Sequence, residues 1–395
     1  MASSSSHILV VGGGTFGVNT AIELRGRGHA VTLLEPGPLP HPHAASTDIS
    51  KVIRMDYGRD ELYMDMMEEA LATWRAWNQE LGETVFFETG VLYLTLDTME
   101  PGEYEYESFR LLQRRGHPVE RLDSAQLRRR FPAWNADIYP DGYLNPQGGW
   151  SPSGRVVALL AERARRDGVE IVEGAAFASL LEQGGRVVGV TTANGREYRA
   201  DWVVFCAGSL TPVLLPWLAE VMWPTAQAVF HFKVGDLSLY QPPAFPVWTA
   251  DIGRTGWYGF PAQPDGALKI ANHGAGWRRD PREPRAVPPE AELKFRAFMT
   301  ESLPGTVQAP KIFERLCFYC DTFDGDFWIG KDPERPGLLV SAGGSGHAFK
   351  FTPLIGRITA DVLEDKPNPY AARFAWRQRG ELQAEEARNV DSARK

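Results

Sequence analysis

The run Gly12-Gly13-Gly14-Thr15-Phe16-Gly17 sits between a short apolar stretch, His7-Ile8-Leu9-Val10-Val11, and a helical pattern from Val18 to Arg27. A second strand-like run, Ala30 to Leu34, follows and ends at Glu35. The unit reads strand–turn–helix–strand with Gly12-x-Gly14-x-x-Gly17 at the turn. Gly12 permits the tight turn, Gly14 lets the backbone approach a pyrophosphate, and Gly17 lets helix and strand pack closely. The start of the helix offers free N–H groups and a positive dipole end to phosphate, so Thr15 and Phe16 belong to the same expected cradle. Glu35 lies 18 residues beyond Gly17, where an acid that bonds a ribose hydroxyl is expected. Together these features predict a dinucleotide-binding domain, which a solitary glycine motif would not.

Composition narrows the function classes. Over 395 residues the chain is 43% hydrophobic and 23% charged, values of an ordinary globular protein. With 42 Lys and Arg against 50 Asp and Glu, the net charge is −8. Neither a nucleic acid nor an anionic membrane surface is therefore expected as a partner. Cys206, Cys317 and Cys320 are too few for a disulfide framework and suit a reducing compartment. Met1 to Ser6 is a short polar lead with no apolar export segment behind it. No apolar run approaches the ~18 residues of a membrane span, and Ser392-Ala393-Arg394-Lys395 is not a peroxisomal address. The expected location is cytoplasmic.

Along the chain, Asp60 to Leu81 reads as a helix with Met66, Met67, Ala70, Leu71, Trp74 and Trp77 on one core face, ended by Gly82. Val85 to Leu96 is strand-like. Ser124 is expected to cap a short basic helix whose Arg128-Arg129-Arg130 face is solvated, and Ser153 to cap a helix from Gly154 to Asp167. Gly184-Gly185 and Asn194-Gly195 mark two hairpin turns. Ala200 to Gly208 is an apolar strand ending in Ala207-Gly208, suited to close approach of a cofactor. Gln227 to Lys269 reads as antiparallel strands. The expected architecture is α/β: a dinucleotide-binding domain from 1–85, 150–225 and 315–395, and a second, mainly antiparallel sheet from 86–149 and 226–314 that covers the cofactor.

Four more segments, in order along the chain, carry a family likeness. Ser46-Thr47-Asp48-Ile49-Ser50-Lys51-Val52-Ile53-Arg54 resembles the flavin-proximal loop of the monomeric sarcosine oxidase and fructosyl amino acid oxidase (amadoriase) family. Trp257-Tyr258-Gly259-Phe260-Pro261, with Leu268 to His273, resembles the strand pair over its flavin. Leu316-Cys317-Phe318-Tyr319-Cys320-Asp321-Thr322 is similar to its flavinylation segment, and Gly343 to Phe351 to its C-terminal glycine loop. The resemblance implies a Rossmann-like FAD domain beside a β-sheet substrate domain, a monomer, and oxidation of a secondary amine with O₂ as acceptor. It implies FAD contacts from Ser46, Thr47, Lys51, Ala207, Gly208, Gly344, Gly346, His347 and Lys350 as well as the N-terminal glycines and Glu35.

The same likeness assigns roles that chemistry can rationalise. Arg54 and Lys350 would hold a substrate carboxylate, Arg through two parallel bonds, with Tyr319 beside them. Lys350 stands between Phe349 and Phe351, where an ammonium needs an anionic partner. Lys51 stands where sarcosine oxidases usually carry Arg against the flavin. Lys269 matches the lysine that stabilises the charge developing as oxygen is reduced, and Tyr258 and His273 would line that cavity. Cys317 matches the covalent flavin link, a thioether to the 8α carbon. Read from the residues alone, a buried apolar cysteine, or a zinc or redox pair with Cys320, are its alternatives. Three cysteines without a nearby His cluster make no zinc site, and no metal is expected. A pyridine-nucleotide reductase would need a second GxGxxG, which Gly343 to Gly346 does not supply, and a non-catalytic flavoprotein would leave Arg54, Lys269 and Lys350 without a reason to coincide.

The substrate expectation rests on departures from the sarcosine oxidase pattern. Asp48-Ile49-Ser50-Lys51, Asp321-Thr322 and Phe351 to Gly356 lean toward the amadoriases. Tyr319, Lys269 and His273 lean toward the sarcosine oxidases, and pipecolate oxidases share a similar C-terminal proline. Fructosyl amino acids or peptides are therefore the expected substrates, giving glucosone, the free amino acid and hydrogen peroxide. Sarcosine or another N-methyl or cyclic amino acid is the alternative.

Overall fold

The computed structural model describes residues 5–383 and Arg388. The start of the polar lead, up to Ser4, and the terminal Ser392 to Lys395 lie outside the described residues. The glycine-rich unit folds as its sequence demands. The strand His7–Val11 leads into the helix Thr15–Gly26 and then the strand Ala30–Glu35. These two strands pair in parallel, and the His7–Val11 strand pairs on its other side with Trp202–Phe205. Glu170–Glu173 and Leu338–Ala342 extend the parallel sheet outward on its two sides, and Trp328–Lys331 closes one edge antiparallel. The near-continuous apolar runs of the central strands follow from a parallel sheet covered on both faces. The helix Thr15–Gly26 packs against Ser153–Arg166 and Thr352–Leu363. Close packing needs glycine: a Cβ on Gly17 would fall 1.8 Å from the Gly12 carbonyl oxygen, and one on Gly356 2.4 Å from that of Asn19. Both hairpin turns form, joining Phe177–Gln183, Arg186–Thr192 and Glu197–Arg199 in a three-stranded meander.

A nine-stranded, mainly antiparallel sheet draws its strands from 91–145, 222–278 and 311–322. Its longest pairing joins Met222–Lys233 to Lys311–Thr322, from Met222 opposite Thr322 to Phe232 opposite Lys311. A domain boundary at 315 divides this strand, so Cys317 lies on the large sheet. Strand alternation then separates two chemistries. Ala226, Ala228, Phe230, Phe232, Leu268, Ile270, Leu316 and Phe318 face a core closed by Phe295 and Phe298 of the helix Pro289–Ser302. On the other face lie Val229, Ala271, Cys317 and Tyr319, against Tyr258. The register also puts Lys269 opposite His231 and Arg315 opposite Val229.

The helix Glu61–Glu80 buries its Met and Trp stripe, and the Asp60 side chain caps it by accepting from the Tyr63 N–H at 3.1 Å. Two caps differ from expectation. Asp123 caps Ser124–Arg130 through a reciprocal pair with Gln126, and the Ser124 hydroxyl donates to the Tyr139 carbonyl. Ser153 is the first residue of its helix, and its hydroxyl donates to the Asp48 carbonyl at 3.1 Å. In both cases a tertiary acceptor claims the hydroxyl. Arg128, Arg129 and Arg130 are exposed. No helix of the described residues is long and apolar enough to cross a membrane.

Candidate active site

Two cavities meet the predicted residues. The first lies along the glycine turn and is lined by Gly12 to Phe16, Glu35, Ser46, Lys51, Ala207, Gly208, Tyr319, Gly344 and Gly346. At Gly12 φ is +105° and a Cβ would meet the Cys206 carbonyl oxygen at 2.5 Å, whereas a Cβ on Gly14 meets only Ser46 Oγ at 3.5 Å. Backbone is thus bared toward the cavity at Gly14, as a pyrophosphate requires. Glu35 Oε2 accepts the Gly13 N–H at 2.7 Å. Burial pushes this carboxyl up to about 7, against the pull of the Gly13 and Gly37 N–H groups. Beside the cavity, Thr47 Oγ1, Ser50 Oγ and Arg315 Nε are buried without a protein hydrogen-bond partner. Buried donors of this kind require an acceptor, so the residues present fit a dinucleotide such as FAD. Gly17, Thr47, Tyr258, Lys269, Cys317 and Lys350 are in the wall of neither cavity, Cys320 is in that of the first, and His347 lines the second.

The second cavity, about 1560 Å³, is lined by Arg54, Tyr57, Trp223, His273, Trp277, Asp321, His347 and Arg388 among others. Arg54 is buried and donates to the Asp56 carbonyl and, at 2.6 Å, to the Tyr104 hydroxyl. Its guanidinium lies 5.0 Å from the Tyr57 ring centre. Lys350, 2% exposed, donates to the Tyr57 hydroxyl at 2.9 Å and to the His347 carbonyl at 2.7 Å. The two cations expected to share one carboxylate therefore converge on Tyr57. Tyr57 lies 3.0 Å from His347 Nδ1, and His347 Nε2 lies 3.0 Å from the Gly325 carbonyl. A carbonyl only accepts, which assigns the proton to Nε2 and leaves Nδ1 as the acceptor for Tyr57. Burial holds both His347 and His273 well below the ordinary histidine range, so both imidazoles are neutral. At Gly346, with φ +74°, a Cβ would strike the Tyr319 ring at 2.5 Å and His273 at 2.9 Å. Glycine at this point brings the C-terminal loop against both side chains.

Lys269 is 1% exposed, and its ammonium donates to Asp48 Oδ2 at 2.7 Å and to the Ser50 carbonyl at 2.6 Å. Burial lowers it to about 8, with Asp48 holding it up. Asp48 also faces Lys51 at 3.8 Å and stays well below the ordinary carboxyl range despite its burial, because Lys269 stands beside it. Burial acts to raise the Cys317 thiol, but Lys51 and Arg315 outweigh it and the thiol titrates below its ordinary value. Cys320, three residues on and facing the opposite way, is pushed up to about 12 by burial. Tyr258 and Tyr319 interact with each other and remain protonated, held up by burial.

Sequence reasoning passed over four of these residues as site members. Asp48 was quoted only as a motif letter, and its partner Lys269 is 221 residues away, so no local pattern reveals the pair. Arg315 could have been found, since strand periodicity puts it on the same face as Cys317. Tyr57 sits three residues after Arg54 in a loop, without periodicity to aim it. Arg388 pairs with Asp321 and lies 3.4 Å from His273 Nδ1, a contact that only the closed fold creates. Among the described residues no group of His, Cys, Asp and Glu is arranged to hold a metal ion.

Comparison with known proteins adds independent findings. The family model described as FAD dependent oxidoreductase matches residues 7–362. N-methyl-L-tryptophan oxidases of Yersinia pestis and Yersinia pseudotuberculosis are 29% identical over 369 residues, 92% of this chain and 96% of theirs. The solved structure of the fructosyl amine:oxygen oxidoreductase Amadoriase I from Aspergillus fumigatus has a TM-score of 0.81 at 28% identity, covering 95% of this chain and 90% of that one. The fructosyl peptide oxidase from E. terrenum has a TM-score of 0.86 at 22% identity over 98% and 96% of the two chains, a likeness of fold.

Proposed function

Because the chain belongs to the FAD dependent oxidoreductase family, we propose that it is an oxidase of secondary amines whose substrates are fructosyl amino acids or peptides. The products are glucosone, the free amino acid or peptide, and hydrogen peroxide. The observation that carries this reading is the second cavity. At about 1560 Å³ it is far larger than an N-methyl group needs, and Arg54, Asp321 and Arg388 set charged groups into a wall that is otherwise more apolar than polar. Asp321 is buried there, with Oδ2 on Arg388 and Oδ1 without a partner, an acceptor suited to a sugar hydroxyl. The similarity to Amadoriase I supports the same substrate class.

Bound FAD would supply the two-electron chemistry that oxidises the carbon beside the amine and reduces oxygen. The chain's own groups bind, orient and polarise. Arg54 and Lys350 take the substrate carboxylate, and Tyr57 fixes their separation. His273 and His347, both neutral, present hydrogen bonds without adding charge beside these cations. Lys269, pinned by Asp48 and the Ser50 carbonyl, provides a fixed positive charge where oxygen is reduced; such preorganised charge is worth most in a site that excludes water. Cys317 carries the FAD covalently, helped by its lowered thiol.

A second reading, an oxidase of N-methylated aromatic amino acids, is favoured by Trp223 and Trp277 in the cavity wall and by the N-methyl-L-tryptophan oxidase relatives. The deciding experiment is a peroxide assay with fructosyl-glycine, fructosyl-valine, sarcosine and N-methyl-L-tryptophan. The proposal expects the highest kcat/KM for a fructosyl substrate, and a higher value for either N-methyl amine overturns it.

A further inference from the structure

We propose that Arg315 holds the Cys317 sulfur as a thiolate for bond formation with FAD, with Lys51 as the second cation. The proposal rests on the reading of Cys317 as the covalent link. It starts from register. Arg315 and Cys317 are two residues apart on the strand Lys311–Thr322, opposite Val229 and Gln227 of its neighbour, so both project from the same face. That face carries the Tyr258–Cys317–Tyr319 cluster and adjoins the cofactor cavity. Cys320, an odd number of residues away, also borders the cofactor cavity, but its Sγ is directed to Met222 Sδ at 3.8 Å.

Arg315 is fixed rather than free to swing. Its Nη1 donates to the Thr47 carbonyl at 2.6 Å and to that of Pro42 at 3.4 Å, and Nη2 donates to Ala44 at 3.4 Å. Three carbonyls of one loop thus orient the guanidinium, while Nε is buried and has no partner. Cys317 is 1% exposed, so water cannot stabilise a thiolate there. A buried anion persists only beside cations, and Lys51 and Arg315 act on this sulfur to lower it. The thiolate is the reactive form of cysteine. Cys320 is also buried but has no such pair acting on it, and it stays a thiol.

In the step, Sγ forms a C–S bond to the 8α carbon and a C–H bond at that carbon breaks. The thiol proton and the carbon's proton leave, and the two electrons of the broken C–H bond, with two protons, reduce the flavin ring. Oxygen, the acceptor in the proposed reaction, then takes two electrons and two protons as hydrogen peroxide. Arg315 and Lys51 keep their protons throughout.

The test compares wild type, Arg315→Gln and Arg315→Lys, each purified with excess FAD and sampled over time. Acid precipitation partitions covalent from released flavin, and intact mass identifies the adduct. Gln retains a donor for the Thr47 carbonyl but no charge, and it should bind FAD yet attach it roughly 100-fold more slowly, each pKa unit of thiol shift being tenfold in thiolate. Lys retains charge and should fall within about tenfold of wild type. Attachment in Arg315→Gln at the wild-type rate overturns the proposal, and so does a folded Gln variant that binds no FAD, which would make Arg315 a loop anchor alone. If Gln does not fold, the Lys variant decides, and a loss of attachment there with FAD still bound overturns it. A colourless wild-type pellet refutes covalent attachment itself, a result distinct from the others.

Discussion

Replacing Asp48 by Asn should move the pH at which oxygen reduction fails. The perturbation keeps the shape and one acceptor oxygen but deletes the carboxylate 2.7 Å from Lys269 Nζ, in a pair whose side chains are 2% and 1% exposed. At an effective dielectric near 20, two unit charges at that separation interact by about 6 kcal/mol. The Asn dipole still faces the ammonium, so about half of this is lost, roughly two pKa units. Lys269, held at about 8 in the wild type, should then titrate near about 6. The protonated form is the active one, so the rate is full below the pKa and is lost as pH rises through it. A lowered pKa moves that loss to lower pH. The charged fraction falls roughly tenfold at about pH 7 and about fiftyfold at about pH 8, and the two enzymes converge near about pH 5. Stopped-flow reoxidation of the reduced flavin across this range measures the effect directly. A variant profile that superimposes on the wild type, with its midpoint still near about 8, would refute the clamp.

Four further substitutions probe other parts of the site. Gly14→Val should give folded but colourless protein, because a Cβ there meets only Ser46 Oγ at 3.5 Å while obstructing backbone approach to pyrophosphate; a yellow, fully loaded variant counts against the cradle. Cys317→Ala should release all flavin on acid precipitation, whereas Cys320→Ala should keep it in the pellet, and the reverse pattern would move the link to Cys320. Lys269→Met should slow flavin reoxidation by roughly 100-fold or more with anaerobic flavin reduction by substrate little changed; unaltered reoxidation removes Lys269 from that role.

The parts of the protein legible in its sequence were those encoded by local spacing. The six residues from Gly12 to Gly17, flanked by apolar runs, identify the parallel sheet because the close Gly17 to Gly12 approach that packs helix on strand lies within one short unit. The stripe from Met66 to Trp77 was equally readable, since a 3.6-residue period survives in any helix that covers a core. Local signals failed where a distant group competed for a side chain. Ser124 and Ser153 are good caps in isolation, but the Tyr139 and Asp48 carbonyls take their hydroxyls. The extent of the strand that crosses 315 was hidden for a related reason: pairing with Met222–Lys233 carries it on to Thr322, and a partner strand leaves no mark on the sequence of the one it extends. Lys269 and Lys51 could be picked from motifs, yet the carboxylate that governs both emerged only when the fold closed. Lys350 donates to the Tyr57 hydroxyl and the His347 carbonyl, oxygens that a loop brings into place and that no spacing announces.

The central claim, a flavin oxidase that takes electrons from a secondary amine, is tested most directly by anaerobic mixing of the purified protein with fructosyl-valine. The account predicts loss of the oxidised flavin absorbance without NADH or NADPH, and its return with hydrogen peroxide when oxygen is admitted. An oxidised flavin spectrum that is unmoved by any amine and bleached by a nicotinamide cofactor would contradict it.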